Sequence, residues 1–279
     1  MNLMHPGMVY AYPLWALGLV LIAAAVAGAA MLELLVRRLL PPTLRRAHND
    51  VAAAMFSIIG VTYAVLLAFV AMLAWEGFNR AAAVTSAEAT LLADLDAAAE
   101  GVHAPGLREA LTGYAATVID AEWPALAAGE PATAAEAPLR RIDRAIAAVV
   151  PADAAAINRH AVLLQTFARL RDARADRLLA AGTTIPPIVW AVTVLGGVIT
   201  IAFGSFLGAP SLGMHLAMSA LLAVSGCLVL LLIVALSNPF RGDFHVSAAP
   251  FQAVLARLDA GPAAAEPPTP PATAQESQQ

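Results

Sequence analysis

Four long apolar stretches constrain this chain more than any other feature of its sequence. They cover residues 14–36, 51–75, 186–207 and 214–236, which is 23, 25, 22 and 23 residues. A helix needs about 20 residues to cross a bilayer core about 30 Å thick. Because backbone polar groups in lipid must be hydrogen-bonded within their own segment, we expect these stretches to be helices. The sequence therefore predicts an all-α polytopic membrane protein with four transmembrane helices and a helical extramembrane insert between the second and third.

The composition supports a membrane protein and excludes other classes. Hydrophobic residues make up 60% of the chain and charged residues 13%, with a mean hydropathy of +0.73, far from the usage of soluble proteins. The net charge of −4 argues against binding to nucleic acid. No Lys or Arg precedes the first apolar stretch, whereas Arg37 and Arg38 follow it directly, which indicates a retained anchor rather than a cleaved signal peptide. The lipid bilayer is thus the first predicted partner.

The distribution of charge divides the chain into five regions. Residues 1–75 hold an N-terminal tail and two spans, and residues 185–236 form a transmembrane helical hairpin. Between them, residues 76–184 contain 10 Arg and 14 Asp plus Glu, and their apolar periodicity predicts about four helices with breaks at 101–106, 124–138 and 150–153. Residues 237–260 read as a short structured segment with a strand at 243–247 and a helix around 251–258, and residues 261–279 as a disordered tail.

Two pairs of charged residues have spacings that predict contacts. Glu33 precedes Arg37 by four residues, which favours a helical ion pair near the lipid headgroups rather than a transport site. No loop signal follows the second span or precedes the third, so both are expected to continue into the insert as long helices. Glu88 and Arg174 would each lie 12 residues, or about 18 Å, beyond the membrane. We predict a structural ion pair between them, and two separately solvated charges are the alternative.

Reactive groups are not arranged for catalysis. The sequence has no phosphate-binding loop, no dinucleotide fingerprint and no C-x-x-C or H-E-x-x-H motif, and its only cysteine, Cys227, lies in the fourth span. We interpret His103 and His160 as ordinary surface or hydrogen-bonded histidines. Asp94, Asp96 and Glu100 are poorly spaced for a calcium site, and we interpret them as a solvated acidic face. We therefore predict no enzyme activity, no catalytic residue, no cofactor and no metal site.

One apolar stripe in the second span suggests a function. Val61, Val65 and Phe69 are four residues apart, so they share one face of a helix. In an oligomer this face would form a hydrophobic constriction. Contact with lipid or with a neighbouring helix is the ordinary alternative, and the pattern alone does not separate the two.

Several segments together resemble a known family. They are HNDVAAAMFSIIGVTYAVLLAFVAMLAWE at 48–76, Glu122-Trp123-Pro124, the arginine-rich approach to Ile185-Pro186-Pro187, and SNPFRGDFHVS at 237–247. Over roughly residues 10–258 the chain resembles the bacterial bestrophin-like membrane family, which is a domain of unknown function.

The family is in turn remotely similar to the bestrophins proper. That similarity implies a mechanism. Those proteins are oligomeric ion channels whose second membrane helix lines the pore with an apolar neck and whose insert is cytoplasmic. The resemblance therefore implies that this chain forms a homo-oligomeric ion channel in the bacterial inner membrane, with Val61, Val65 and Phe69 as the pore neck. Val70 and Ala71 depart from the bestrophin pattern, in which polar and basic residues tend to follow the neck.

A second function and two orientations stay open at this point. The alternative to a channel is a non-catalytic membrane-anchored helical scaffold or sensor that binds a protein partner through the insert. Arginines in the short loop at 37–50 place that loop in the cytoplasm and the insert outside. The resemblance places the insert in the cytoplasm.

Overall fold

A computed structural model describes residues 13–41, 45, 48–100, 102, 104, 106–208 and 211–260. Within these ranges every regular element is helical, which confirms the predicted all-α class. The elements are α1 (Leu14–Leu39), α2 (Asn49–Ala99), α3 (Leu107–Thr117), a π-helical turn (Val118–Glu122), α4 (Trp123–Ala128), α5 (Glu136–Ala147), α6 (Ala154–Gly182), α7 (Pro187–Gly204), α8 (Leu212–Leu236) and α9 (Ala249–Ala260). Among the described residues, four helical stretches are long and apolar enough to cross a membrane: α1, α2, the run of α6 and α7, and α8.

Two prolines interrupt the helix that leads to the third span, whereas the helix of the second span continues without a break. The second span continues through residue 99 as one helix of 51 residues, as predicted. The prediction was wrong for the third span, because α6 ends at Gly182 and residues 183–186 are not helical before α7 begins at Pro187. Pro186 and Pro187 have no N–H to donate, and a proline disfavours helical geometry in the residue before it. Pro187 then suits the first position of α7.

A π-helical turn allows the chain to pass Pro124 without a break. The predicted break from residue 124 starts too early, since α4 continues to Ala128. In a regular α-helix the Pro124 ring would clash with the carbonyl of Asp120. The π-helical turn widens the helix over this position, and the Trp123 N–H donates to the Val118 carbonyl five residues earlier.

The C-terminal segment contains no strand, which corrects the prediction for residues 243–247. Its polar groups form hydrogen bonds within turns and with the start of α1 instead. The Asp243 carboxylate accepts a hydrogen bond from the Leu14 N–H at 2.8 Å, where α1 begins with unpaired donors. The Val246 N–H donates to the Pro239 carbonyl at 2.7 Å. The predicted helix around 251–258 is confirmed as α9.

Contacts group the chain into two compact units. The first unit comprises Met1–Val84, Pro124–Pro131 and Arg174–Ser247, and the second comprises Thr85–Trp123, Ala132–Ala173 and Ala248–Gln279. The five-region division drawn from the sequence stays a prediction.

In the first unit, α8 lies against α1 and α2. A Cβ at Gly18 of α1 would lie 2.8 Å from Leu231 Cδ2 of α8, so the missing side chain permits their close approach. The Cys227 thiol lies 3.8 Å from the Leu21 carbonyl oxygen. On the other side of α8, an apolar core joins it to α2: Leu67, Val70, Ala74, Ile233 and Leu236.

In the second unit, α3 packs between α5 and α9. Fully buried side chains fill this core: Leu107, Leu111, Tyr114, Ile142, Ile146 and Phe251. Trp123 meets Phe251 edge to face with ring centroids 5.8 Å apart, and the buried Glu122 carboxylate accepts the Ala135 N–H at 3.0 Å.

Arg108 donates twice to Asp96, at 2.9 and 2.8 Å, and these hydrogen bonds raise the pKa of Arg108. Asp96 therefore contacts a cation, whereas the sequence interpretation placed it on a solvated face.

We predict that Gly129→Ala destabilises the protein more than Gly106→Ala does. Both glycines have a left-handed backbone, with φ of +77° and +78°. At Gly129 an added Cβ would overlap the Arg241 guanidinium, whereas at Gly106 nothing lies within 4 Å. We expect Gly106→Ala to cost about 1 kcal/mol and Gly129→Ala about 1–3 kcal/mol more. Thermal unfolding in detergent measures both, and equal losses would contradict the proposed contact.

Candidate pore face and a buried polar cluster

The second helix has two distinct faces over its membrane-spanning half. One face packs on the protein core, and its residues Leu67, Val70 and Ala74 are 7%, 2% and 3% exposed. On the other face Val61, Val65 and Phe69 are 65%, 50% and 66% exposed. The other residues that the structure describes thus leave the predicted stripe uncovered.

Tyr63 of α2 packs against two glycines of α7. A Cβ at Gly196 would lie 2.9 Å from Tyr63 Cδ2, and one at Gly197 would lie 2.7 Å from Tyr63 Oη. The tyrosine ring therefore occupies the space that two consecutive glycines leave on α7. The Tyr63 hydroxyl is buried and has no hydrogen-bond partner among the described residues. Shape, rather than polarity, holds this contact.

A buried polar cluster lies where α1 ends, and we call its members Glu33, Arg37, Arg45 and His215 the Glu33 cluster. Arg37 Nε donates to Glu33 Oε1 at 2.7 Å, so the predicted ion pair forms. The carboxylate is also 3.1 Å from Arg45 Nη2 and 3.2 Å from His215 Nδ1. Glu33 is completely buried. Its carboxylate therefore contacts two arginines and a histidine, of which the sequence interpretation included only Arg37.

The same cluster binds the turn between α7 and α8. Arg45 Nη2 donates to the carbonyls of Ser205 at 2.6 Å and Leu207 at 2.8 Å. His215 Nε2 lies 3.2 Å from the Gly204 carbonyl oxygen. The Asn49 side chain, at the start of α2, accepts the Gly208 N–H at 2.9 Å. Arg45 from the α1–α2 connection and Asn49 at the start of α2 thus form hydrogen bonds with backbone groups at the end of the α7–α8 hairpin.

A cavity of about 270 Å³ lies within the first unit, between α2, residues 183–186 and the end of α8. Its lining combines apolar side chains with a few polar ones, including Arg80, Asp176 and Thr184. None of the residues predicted from the sequence as sites lines this cavity.

The predicted pair Glu88–Arg174 stays a prediction. Glu88 is completely buried and Arg174 is 5% exposed, so neither is a freely solvated charge. Within the second unit, the Tyr114 hydroxyl donates a hydrogen bond to the Glu88 carboxylate.

Other residues with ligand chemistry do not converge. In the described ranges no three His, Cys, Asp or Glu side chains are placed to hold a metal ion. His160 Nε2 lies 3.1 Å from the Ile146 carbonyl oxygen, and His103 lies outside the described residues. Cys227 is a buried free thiol.

The helices give the structural class of this protein, and a comparison of its sequence with known families gives its family. The part of the chain that the structure describes has four membrane-length helical stretches and no strand, so the chain is a helical integral membrane protein. The chain belongs to the Bestrophin-like domain family, whose model matches residues 23–251.

Solved structures show the same fold at low sequence identity. A crystal structure of a mutant bacterial bestrophin homologue from Klebsiella pneumoniae aligns with a TM-score of 0.64 and 12% identity, covering 85% of this chain and 97% of that one. A crystal structure of a mutant membrane protein aligns with a TM-score of 0.63, 12% identity and the same coverage. Among curated proteins, none matches this sequence.

Proposed function

We propose that this chain is one subunit of a homo-oligomeric ion channel in the bacterial inner membrane, with a pore neck formed by Val61, Val65 and Phe69. Membership of the Bestrophin-like family and the fold shared with a bacterial bestrophin homologue support it. The proposal includes a multi-pass topology and a non-catalytic role.

The observation that carries the proposal is the contrast between the two faces of α2. Its core face is at most 7% exposed at Leu67, Val70 and Ala74, whereas the three neck residues are 50–66% exposed. A helix that packs against the protein on one face and is exposed on the other is suited to line the symmetry axis of an oligomer. In a closed ring, each neck residue would contribute one apolar side chain per subunit, and water would withdraw from so narrow an apolar passage.

The spacing of exposed residues along α2 also favours packing between identical helices. Seven of the exposed positions of α2 follow one another at alternating intervals of four and three, whereas the neck residue Val61 and some other exposed positions lie outside this series: Val51, Met55, Ile58, Thr62, Val65, Phe69 and Met72. This 3.5-residue repeat is the pattern by which parallel helices interlock. The single polar member, Thr62, donates its hydroxyl to the Ile58 carbonyl at 2.9 Å, so it adds no unpaired donor to the seam.

Substituted cysteines test the proposal directly. In proteoliposomes that conduct ions, a water-soluble thiol reagent should modify Phe69→Cys and change the flux. Leu221→Cys is the matched control, since Leu221 is an apolar residue 71% exposed on α8. The native Cys227 is buried and should stay unmodified. Absence of flux through the wild type, or equal modification at both positions, would contradict the proposed neck.

A scaffold or sensor is the second candidate, and a surface in the second unit favours it. Ile157, Val162 and Leu164 of α6 are 58%, 51% and 47% exposed, and they lie in the segment that the sequence predicts to be the extramembrane insert. Ile157 and Leu164 are seven residues apart and share a face of α6, and an exposed apolar patch on this face would be suited to contact a protein partner. A monomer in detergent that co-purifies with one partner, and that carries no flux, would favour this candidate over the channel.

A further inference from the structure

The cavity of the first unit has an apolar side and a charged side. Along α2, which forms one wall, Leu73 lines it in the apolar span, and Arg80 lines it about 10 Å further along the helix. On α6, Asp176 lines it about 9 Å before the end of that helix. Leu236 and Ile185, which also line the cavity, belong to the apolar core or pack against it. The two charged residues thus lie on the side away from the apolar core.

The charged side of the cavity lies at the depth of lipid headgroups. The apolar stretch of α2 ends at Trp75, and Arg80 follows about 8 Å later along the helix. The headgroup layer outside each face of the hydrocarbon core is about 5–8 Å thick. Arg80 is therefore at the level at which phospholipids carry their phosphates, whereas Leu73 is at the level of their acyl chains.

The cation and the anion of this cavity do not neutralise each other. Within the part of the chain that the structure describes, Arg80 and Asp176 form no ion pair, either with each other or with a third residue. Opposite charges that line one cavity but stay apart are complementary to a ligand that carries one charge of each sign. A guanidinium binds a phosphate through charge-assisted hydrogen bonds, and a carboxylate accepts such bonds from a primary ammonium group.

The cavity has room for a ligand of this kind. Its volume is about 270 Å³, whereas one water occupies about 30 Å³ in the liquid. Gly77 lines the cavity between Leu73 and Arg80 on α2, and an added Cβ there would have no atom within 4 Å. Leu179 of α6 also lines the cavity and is 66% exposed, so the cavity lies at the surface of the chain, where a lipid can enter it.

We propose that this cavity binds the headgroup of a zwitterionic phospholipid with a primary ammonium group, namely phosphatidylethanolamine. Arg80 binds the phosphate, Asp176 binds the ammonium group, and the acyl chains follow the apolar wall at Leu73. The occupant is a lipid rather than a soluble zwitterion, because the wall below the charges belongs to the membrane-spanning part of α2. The site lies within one chain, so the proposal does not depend on ion conduction.

The choice of lipid by the wild-type protein is the first test and needs no variant. In native mass spectrometry of the full chain from detergent, the affinity for phosphatidylethanolamine should be about fivefold or more above those for phosphatidylcholine and phosphatidylglycerol with the same acyl chains. A choline group has no N–H to donate to Asp176, and phosphatidylglycerol has no cation to pair with it. Equal affinities for the three lipids would overturn the proposal.

Three variants test where the lipid binds. Arg80→Gln and Asp176→Asn each remove one charge, whereas Gly77→Leu fills the cavity and keeps both charges. In proteins with the melting temperature of the wild type, each change should lower the affinity for phosphatidylethanolamine about fivefold or more. Undiminished affinity in Gly77→Leu would overturn the proposal.

The matched controls change equivalent residues outside the cavity. Arg169→Gln on α6 and Glu76→Gln on α2 remove exposed charges, and Gly60→Leu on α2 enlarges a glycine that also has no atom within 4 Å of an added Cβ. These three should keep the wild-type affinity, and a loss equal to that of the cavity variants would overturn the proposal.

A soluble competitor separates a lipid from a soluble zwitterion. O-phosphoethanolamine carries the same two charges without acyl chains, so it should not displace phosphatidylethanolamine at an equal concentration. Displacement at that concentration would assign the cavity to a soluble zwitterion and overturn the lipid proposal.

Discussion

Replacing Phe69 by alanine is expected to raise ion leak through reconstituted protein about tenfold or more. The phenyl ring is 66% exposed on α2, so its loss leaves the core of the single chain intact. In the proposed ring, each subunit would lose its largest neck side chain, and the widened passage would wet more easily. A barrier lower by about 1.4 kcal/mol is sufficient for a tenfold faster passage. Flux from ion-loaded liposomes measures the change.

The control for this experiment is an equally exposed residue on another membrane helix. Leu221→Ala shortens an apolar side chain of α8 that is 71% exposed. It should leave the flux at the wild-type value, because α8 has no place in the proposed neck. An unchanged flux in Phe69→Ala, measured with protein of wild-type melting temperature, would refute a gate at this residue.

The second large effect is expected at the contact between α2 and α7. Gly197→Val should lower the free energy of unfolding by about 3 kcal/mol, because overfilling a packed site forces side chains or backbone to move. Already a Cβ at Gly197 would lie 2.7 Å from Tyr63 Oη, and valine adds two methyl groups beyond it. Denaturation in mixed detergent micelles reports the loss.

Matched glycines separate this contact from a general effect of valine. Gly60 of α2 and Gly226 of α8 have nothing within 4 Å of an added Cβ, so Gly60→Val and Gly226→Val should change stability by about 0.5 kcal/mol or less. Tyr63→Ala combined with Gly197→Val should lose less than the two single losses together, since the added side chain then fills the vacated space. Strict additivity would show that Tyr63 is not the obstacle.

Hydropathy and helix chemistry were enough to predict the fold class. Long apolar runs can satisfy their backbone in lipid only as helices, so the four membrane-length helices followed from composition and length alone. Local rules were less reliable at prolines. Pro186 with Pro187 ended a helix that was expected to continue, whereas a π-helical turn carried the chain past Pro124.

Residue spacing also predicted the local contacts, such as the stripe on α2 and the pair Glu33–Arg37, because positions four apart share a helix face. It could not bring His215 to Glu33, since they are 182 residues apart and the packing of α8 on α1 decides their contact. Nor could it distinguish the buried face of α2 from the bare one, because both are apolar. The sequence by itself determined which segments enter the membrane, since that depends on the length and polarity of each segment. Only the tertiary structure decided which face stays uncovered and which charges meet, since those depend on where the other helices lie.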